Sequence, residues 1–245
     1  NDDDTLSCQV FTYENLGSLK HSGDKLFIDE DTTMFLEHQL TILLSTSYDE
    51  YHFYGDVDQG SAMDTSSTLS GTFISDHVNP ADIGRCFYTY RFGPTLAAFL
   101  NETANYPVVS LADHDTAISL FDENDFQDTK NLNIAATSWT VSKIAEVADS
   151  CLSAKSAQGL TRDTVNVHIP HTDVGAMFNY PATYIVSLSR SRHNLNLYVD
   201  TKSKSNAVSN LRQIITNYSA HLNVHIEDTI DTVNNRDGTP RDQDF

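Results

Sequence analysis

His171-Thr-Asp173 is the pairing in this sequence best suited to metal chemistry, with His168 just upstream and His225 and Arg236 further along. Two imidazoles and one carboxylate can hold one face of an Fe(II) ion and leave its other positions open. Asp56, Asp58 and Asp64, around Gly60, form a second candidate, an oxygen-rich loop of the kind calcium prefers. Its order, D-x-D-x-G, lacks an acid or amide at the fifth position, and Ser67 stands where a bidentate Glu would close an EF-hand. An EF-hand is therefore excluded, and a looser cation site competes with a solvated turn. The acidic runs Asp29–Asp31 and Asp122–Asp128 read as solvated faces with weak cation affinity. Asp113-His114-Asp115 joins an imidazole to two carboxylates, without a recognisable nucleophile elbow beside it.

The order His171, Asp173, His225, Arg236 resembles that of the iron and 2-oxoglutarate-dependent oxygenases. The resemblance implies a ligand set of His171, Asp173 and His225, with Arg236 binding the cosubstrate carboxylate, on strands of a double-stranded β-helix. The sequence departs from that pattern where a helix is expected near 206–220. The other reading of these residues is a polar turn after a strand. There is no G-x-S-x-G, no P-loop and no G-x-G-x-x-G. Cys8, Cys86 and Cys151 are too few and too scattered for a disulfide framework or a CxxC metal site. Asn101-Glu-Thr103 and Asn217-Tyr-Ser219 match the short glycosylation acceptor pattern.

The elements that would position these residues read most clearly in the C-terminal third. Val165, Val167 and Ile169 alternate with Asn166 and His168, a strand that Pro170 ends. Tyr184, Val186 and Leu188 alternate with serines, and Leu195, Leu197 and Val199 with asparagines, which predicts a hairpin turning at Ser191–Arg192. Ala207 to Tyr218 carries helical spacing, and Leu222, Val224 and Ile226 return to strand alternation. Upstream, 138–158 reads as one helix ended by Gly159, and 95–101 as a shorter helix after Pro94. Leu36 to Leu44 alternates as a strand would, although a helix from Thr33 fits too. Tyr48–Tyr54 and Arg85–Phe92 are aromatic strand candidates, with 55–70 a long polar loop. The fold expected is α+β and sheet-rich, a mainly antiparallel or mixed sheet with a few covering helices. It is read as an acidic, β- and loop-rich part over 1–130 and a helix plus β-β-β-α-β part over 131–245, or as one continuous domain.

Composition supports that picture. Asp, Asn, Ser and Thr abound, and these residues favour turns and caps over helix interiors. The chain holds 34 acids and 15 bases, a net charge of -19. Residues 1–60 carry 13 acids and 2 bases, whereas 161–245 carry 9 and 8. So acidic a chain argues against neutralising a phosphate backbone, at least through its acidic half, and against an anionic membrane surface. No apolar run approaches the length of a membrane helix. Arg190, Arg192, Lys202, Lys204 and Arg212 gather in a short stretch, which predicts a positive edge able to meet an acidic face on another copy or another protein. The start at Asn1 fits a segment of a longer product or a processed end. These features point to a non-enzymatic assembly subunit, a homo-oligomer of a virus or phage particle (neck, tail or capsid), in a virion or extracellular setting and with no cofactor. The alternatives are an Fe(II) enzyme using His171, Asp173 and His225, and a secreted calcium-dependent binding module using Asp56, Asp58 and Asp64.

Overall fold

The computed structural model describes residues 9–10, 21–29, 36–60, 84–127, 130–200, 206, 208–211 and 213. The chain divides into two compact units, 1–84 and 85–245.

In the first unit, β1 (Ser22–Ile28), α1 (Leu36–Ser45) and β2 (Ser47–Phe53) form a β-α-β unit. The two strands run parallel, in register from Ser22 beside Ser47 to Ile28 beside Phe53. Parallel neighbours cannot be joined by a tight turn, so the chain must cross over, and α1 is that crossover. The strand-like alternation of Leu36–Leu44 is misleading. Gln39 and Ile42, three residues apart, are the buried positions, while Leu44 is 86% exposed. Leu26, Ile28 and Ile42 form the local core, with Tyr48, Tyr51 and Phe53 packed against it. A single turn of helix, α2 (Val57–Gly60), follows β2.

The second unit begins with β3 (Tyr88–Thr89), α3 (Pro94–Ala104) and β4 (Val109–Ser110), with β3 and β4 paired in parallel. Its centre is a sheet of β5 (Ala117–Asp122), β6 (Leu132–Ala135), β7 (Cys151–Ser153), β8 (Arg162–Ile169) and β9 (Ser191–Val199). Their order is β5-β9-β8-β6-β7, and every pairing is parallel. The crossovers are α4 (Ser138–Ala145), α5 (Ala154–Ala157), α6 (Val174–Phe178) and α7 (Pro181–Leu188). This is an α/β fold built on a five-stranded parallel sheet, and it overturns the expected α+β, antiparallel or mixed arrangement.

The reason lies in the second face of the sheet. Parallel strands are usually apolar on both faces, so polar alternation suggests a half-exposed antiparallel strand. Here Val165, Val167, Ile169, Leu195, Leu197 and Ile134 fill one face and are fully buried. The other face carries Asn133, Asn166 and His168, also buried. Asn196 donates to Asn166 Oδ1 at 2.9 Å, Asn166 donates to Asn133 Oδ1 at 3.0 Å, and His168 Nε2 donates to the same oxygen at 3.1 Å. Asn133 in turn donates to the Asn131 and Ser150 carbonyls. Satisfied amides replace apolar side chains, so a doubly covered strand carries the pattern of a half-exposed one.

The predicted hairpin fails for a related reason. Residues 181–188 form α7, started by Pro181 in the first turn and buried at Ala182 and at every position from Tyr184 to Leu188. A helix buried nearly all round loses its 3.6-residue signature. The predicted helix over 138–158 is divided. Thr137 caps α4, the chain leaves the helix after Ala145, and Cys151–Ser153 adds an edge strand before α5. Of the predicted strand 85–92, only Tyr88–Thr89 pairs. Residues 206, 208–211 and 213 are helical, whereas the predicted strand at 222–226 lies outside the described residues.

Candidate functional site

In parallel α/β units, ligand-binding groups collect just beyond the carboxyl ends of the strands. In the first unit these ends are Ile28 and Phe53, and the Tyr54 amide still donates to the Ile28 carbonyl at 2.8 Å. Asp29 follows at once and is exposed, so the apolar end of β1, Leu26-Phe27-Ile28, leads into a carboxylate at the rim. Gln59 stands in α2, just past the neighbouring strand end. Its Nε2 donates to Asp56 Oδ2 at 2.7 Å, and its backbone amide donates to the Asp56 carbonyl at 3.0 Å. Asp56 Oδ1 also accepts from the Asp58 amide at 2.9 Å. Asp56, one of the three acids of the expected cation loop, thus fastens its own turn. Asp58 is exposed and Asp64 lies outside the described residues.

The second unit separates the residues of the expected iron set. Asp173 is fully buried and accepts from the Thr137 amide at 3.1 Å, Thr137 Oγ1 at 2.9 Å and Thr140 Oγ1 at 2.7 Å. Thr172 Oγ1 adds a longer contact of 3.3 Å. The carboxylate ties the loop after β8 to the start of α4. His171 is turned to solvent, with Nδ1 4.0 Å from Asp200 Oδ2. His225 and Arg236 lie outside the described residues. Among the described residues, no three His, Cys, Asp or Glu side chains come together to hold a metal. His168 belongs to the buried amide ladder, where burial pushes its pKa down to about 4 and keeps the ring neutral.

In the second unit, acids gather at the carboxyl ends of three strands, whereas the amino ends carry both signs, with Asp113, Asp115 and Asp163 near the arginines. At the carboxyl ends of β5, β8 and β9 stand Asp122, Glu123, Asp173 and Asp200. Burial, with Asp200 and Asp122 nearby, raises the pKa of Glu123. At the amino ends of β8 and β9 stand Arg162, Arg190 and Arg192. The Arg162 amide donates to the Arg190 carbonyl at 3.0 Å. Arg190 is buried: its Nε donates to the Val186 carbonyl at 3.0 Å and its Nη2 to Ser189 Oγ at 2.8 Å, closing the last turn of α7. The expected positive edge is therefore not one surface, since Arg192 is exposed, Arg190 is not, and Lys202, Lys204 and Arg212 fall outside the description.

A second anchor sits on the amino side. Asp115 Oδ1 accepts from the Thr95 amide at 3.0 Å and from the Thr116 amide at 2.8 Å, so a distant carboxylate caps α3. Thr116 Oγ1 accepts from the Gly93 amide at 2.8 Å and donates to the Arg192 carbonyl. A Cβ on Gly93 would lie 2.3 Å from the Asp115 Cα, so this crossing requires glycine. The neighbouring Asp113 pairs with His114 Nδ1 at 3.1 Å, which lowers its pKa, and the His114 ring lies against His193.

Sequence reasoning passed over Gln59, and it read Asp29 only as part of a solvated acidic run and Arg190 only as part of a positive edge. For Asp29 a signal exists. The apolar run Leu26-Phe27-Ile28 leads straight into Asp29-Glu30, a strand delivering a carboxylate at its end. An exposed carboxylate at a strand end is a hard oxygen ligand of the kind that suits Mg2+.

Comparison with known proteins bears on this geometry directly. The family model described as viral superfamily 1 RNA helicase core domain matches residues 3–199. Among solved structures, the arterivirus nonstructural protein 10 helicase superposes with a TM-score of 0.59 at 19% identity, over 80% of this chain and 43% of that one. The same arterivirus helicase in complex with DNA gives 0.57 at 19%, over 79% and 42%. The PRRSV helicase gives 0.56 at 18%, over 77% and 38%. At these identities the structures establish the shared fold, and the chain spans less than half the length of each. No curated protein matches the chain.

The family match overturns the expectation of a non-enzymatic virion, neck, tail or capsid subunit. It also overturns an account of partners that excludes nucleic acid in favour of self-assembly. Net charge is a global sum, whereas a polyanion senses charge within a Debye length of about 8–10 Å, so -19 over the whole chain does not exclude a local contact.

Proposed function

The chain belongs to the viral superfamily 1 RNA helicase core-domain family, and from that premise we propose that it serves nucleotide-driven movement along single-stranded nucleic acid. Within that activity the first unit supplies the carboxylate that holds the Mg2+ of a bound nucleotide. The observation that carries the reading is Asp29, exposed at the end of a parallel strand in a chain that matches this family over residues 3–199. Asp29 would hold that ion, which would supply neutralisation of the phosphate charge during transfer. Asp29 fits that ion because a single carboxylate leaves its remaining positions to phosphate and water. Gln59, whose Nε2 donates to Asp56 just past the neighbouring strand end, is the side chain assigned to positioning the attacking water. No P-loop motif occurs within the 245 residues.

The test is RNA-stimulated nucleotide hydrolysis and strand separation by the complete protein. Asp29→Asn is expected to lower hydrolysis about 100-fold, since metal stabilisation of the transition state is worth several kcal/mol. Hydrolysis by Asp29→Asn at the wild-type rate would remove Asp29 from this role. A complete protein with no RNA-stimulated hydrolysis would remove the reading itself.

A further inference from the structure

We propose that Trp139 and Lys143 form a stacking post for single-stranded nucleic acid at the carboxyl end of β6, a contact that rests on the helicase reading above. Trp139 lies in the first turn of α4 and is 57% exposed. The rings on the face that carries His168 are engaged with one another: Phe126 stands edge-on to His168 and Tyr198, and His168 stacks on Tyr198. Lys143, one helical turn after Trp139, places its Nζ 5.1 Å from the indole centroid. An exposed indole offers a π-face to any base, and a neighbouring ammonium offers a counter-charge to the adjoining phosphate.

The post is held rigidly. Thr137 accepts from the Thr140 amide to cap α4, and buried Asp173 grips Thr137 and Thr140 through three hydrogen bonds. The Asp173 carboxylate already answers the positive end of the helix, so attraction for a phosphate falls to Lys143 rather than to the helix dipole. Exposed Glu146 and Asp149 follow Lys143 beyond the far end of α4, whereas the acids of the strand ends stand apart from Trp139. Asp122, Glu123 and Asp200 gather at the ends of β5 and β9, and β6 is two strands from β9 in the sheet order. Two strand spacings amount to about 10 Å, close to the screening length at physiological salt. Phe121 is partly exposed too, but it sits on β5 directly before Asp122 and Glu123, where a phosphate would be repelled.

Trp139 is the only tryptophan in the chain, so indole fluorescence reads this one ring. The probe is a fluorescein-labelled single-stranded oligouridylate of about 12 nucleotides, within the span such sites occupy. Binding is expected to quench the indole as it raises fluorescein anisotropy. Trp139→Ala should weaken binding about tenfold, while Trp139→Phe keeps most of it. Lys143→Ala should weaken binding across sequences and lower the salt slope by about one. Anisotropy showing binding with unchanged indole emission and an unaffected Trp139→Ala would overturn the post and leave the helicase reading intact. Absence of any oligouridylate binding at low salt would overturn both.

Discussion

Asp29 and Asp173 occupy equivalent places, each just beyond the carboxyl end of a parallel strand, yet their surroundings are opposite. Asp29 is exposed at the end of β1, whereas Asp173 is sealed beneath α4 with its oxygens taken by threonines. Topology brings a carboxylate to the rim of a sheet; burial and hydrogen bonding decide whether it can meet a ligand. A carboxylate saturated by internal donors is a structural anchor. One exposed at the rim can meet a cation that arrives with its substrate.

The strongest way to break this comparison is to neutralise both carboxylates and read activity and stability separately. Asp29→Asn is expected to lose about 100-fold in hydrolysis with a stability change within about 0.5 kcal/mol, the range for a surface site. Asp173→Asn is expected to do the reverse, losing about 3 kcal/mol in chemical denaturation, because it removes the buried charge and an amide NH2 would either oppose the Thr137 N–H or force both threonine hydroxyls to turn from donors into acceptors. A stable Asp173→Asn variant would erase the distinction between the two acids.

The next effect sharpens the account of how anchors work. Gly93→Ala drives a methyl into the Asp115 backbone and should destabilise the second unit by about 2 kcal/mol, read as a lowered thermal midpoint. Thr95→Val, which removes only the hydroxyl bonded to Asp115, should do less.

The smallest effect concerns the amide ladder. His168 is held neutral in the fold, with a pKa pushed down to about 4 against the ordinary 6.5. The unfolded chain therefore takes up its proton first as pH falls. Stability contributed by His168 is intact above about pH 6.5 and is lost as pH drops toward 4. His168→Gln should flatten the stability-against-pH curve across that window by about one proton. A curve identical to wild type would show that the ring is not buried neutral.

Much of the local structure was legible in the sequence. Pro170 ends β8, Pro94 opens α3, and the aromatic stretch at 48–54 lies largely in β2. What the sequence concealed was pairing direction, because Asn133, Asn166, His168 and Asn196 give a buried strand face the alternation of an exposed one. Near-complete burial of 184–188 concealed α7 in the same way. The candidate site was harder to see. Asp29 stands in an acidic run that resembles a solvated face, and only the apolar strand before it marks the difference. His171 and Asp173 looked paired by spacing, but the turn after Pro170 sends one outward and the other into the core.

The central claim, that Asp29 holds the metal of a bound nucleotide, is tested most directly by measuring nucleotide affinity of the complete protein as Mg2+ is raised. Wild type is expected to bind more tightly as Mg2+ increases, and Asp29→Asn is expected to lose that dependence while still unfolding at the wild-type temperature. An Asp29→Asn protein whose affinity follows Mg2+ as wild type does would contradict the account.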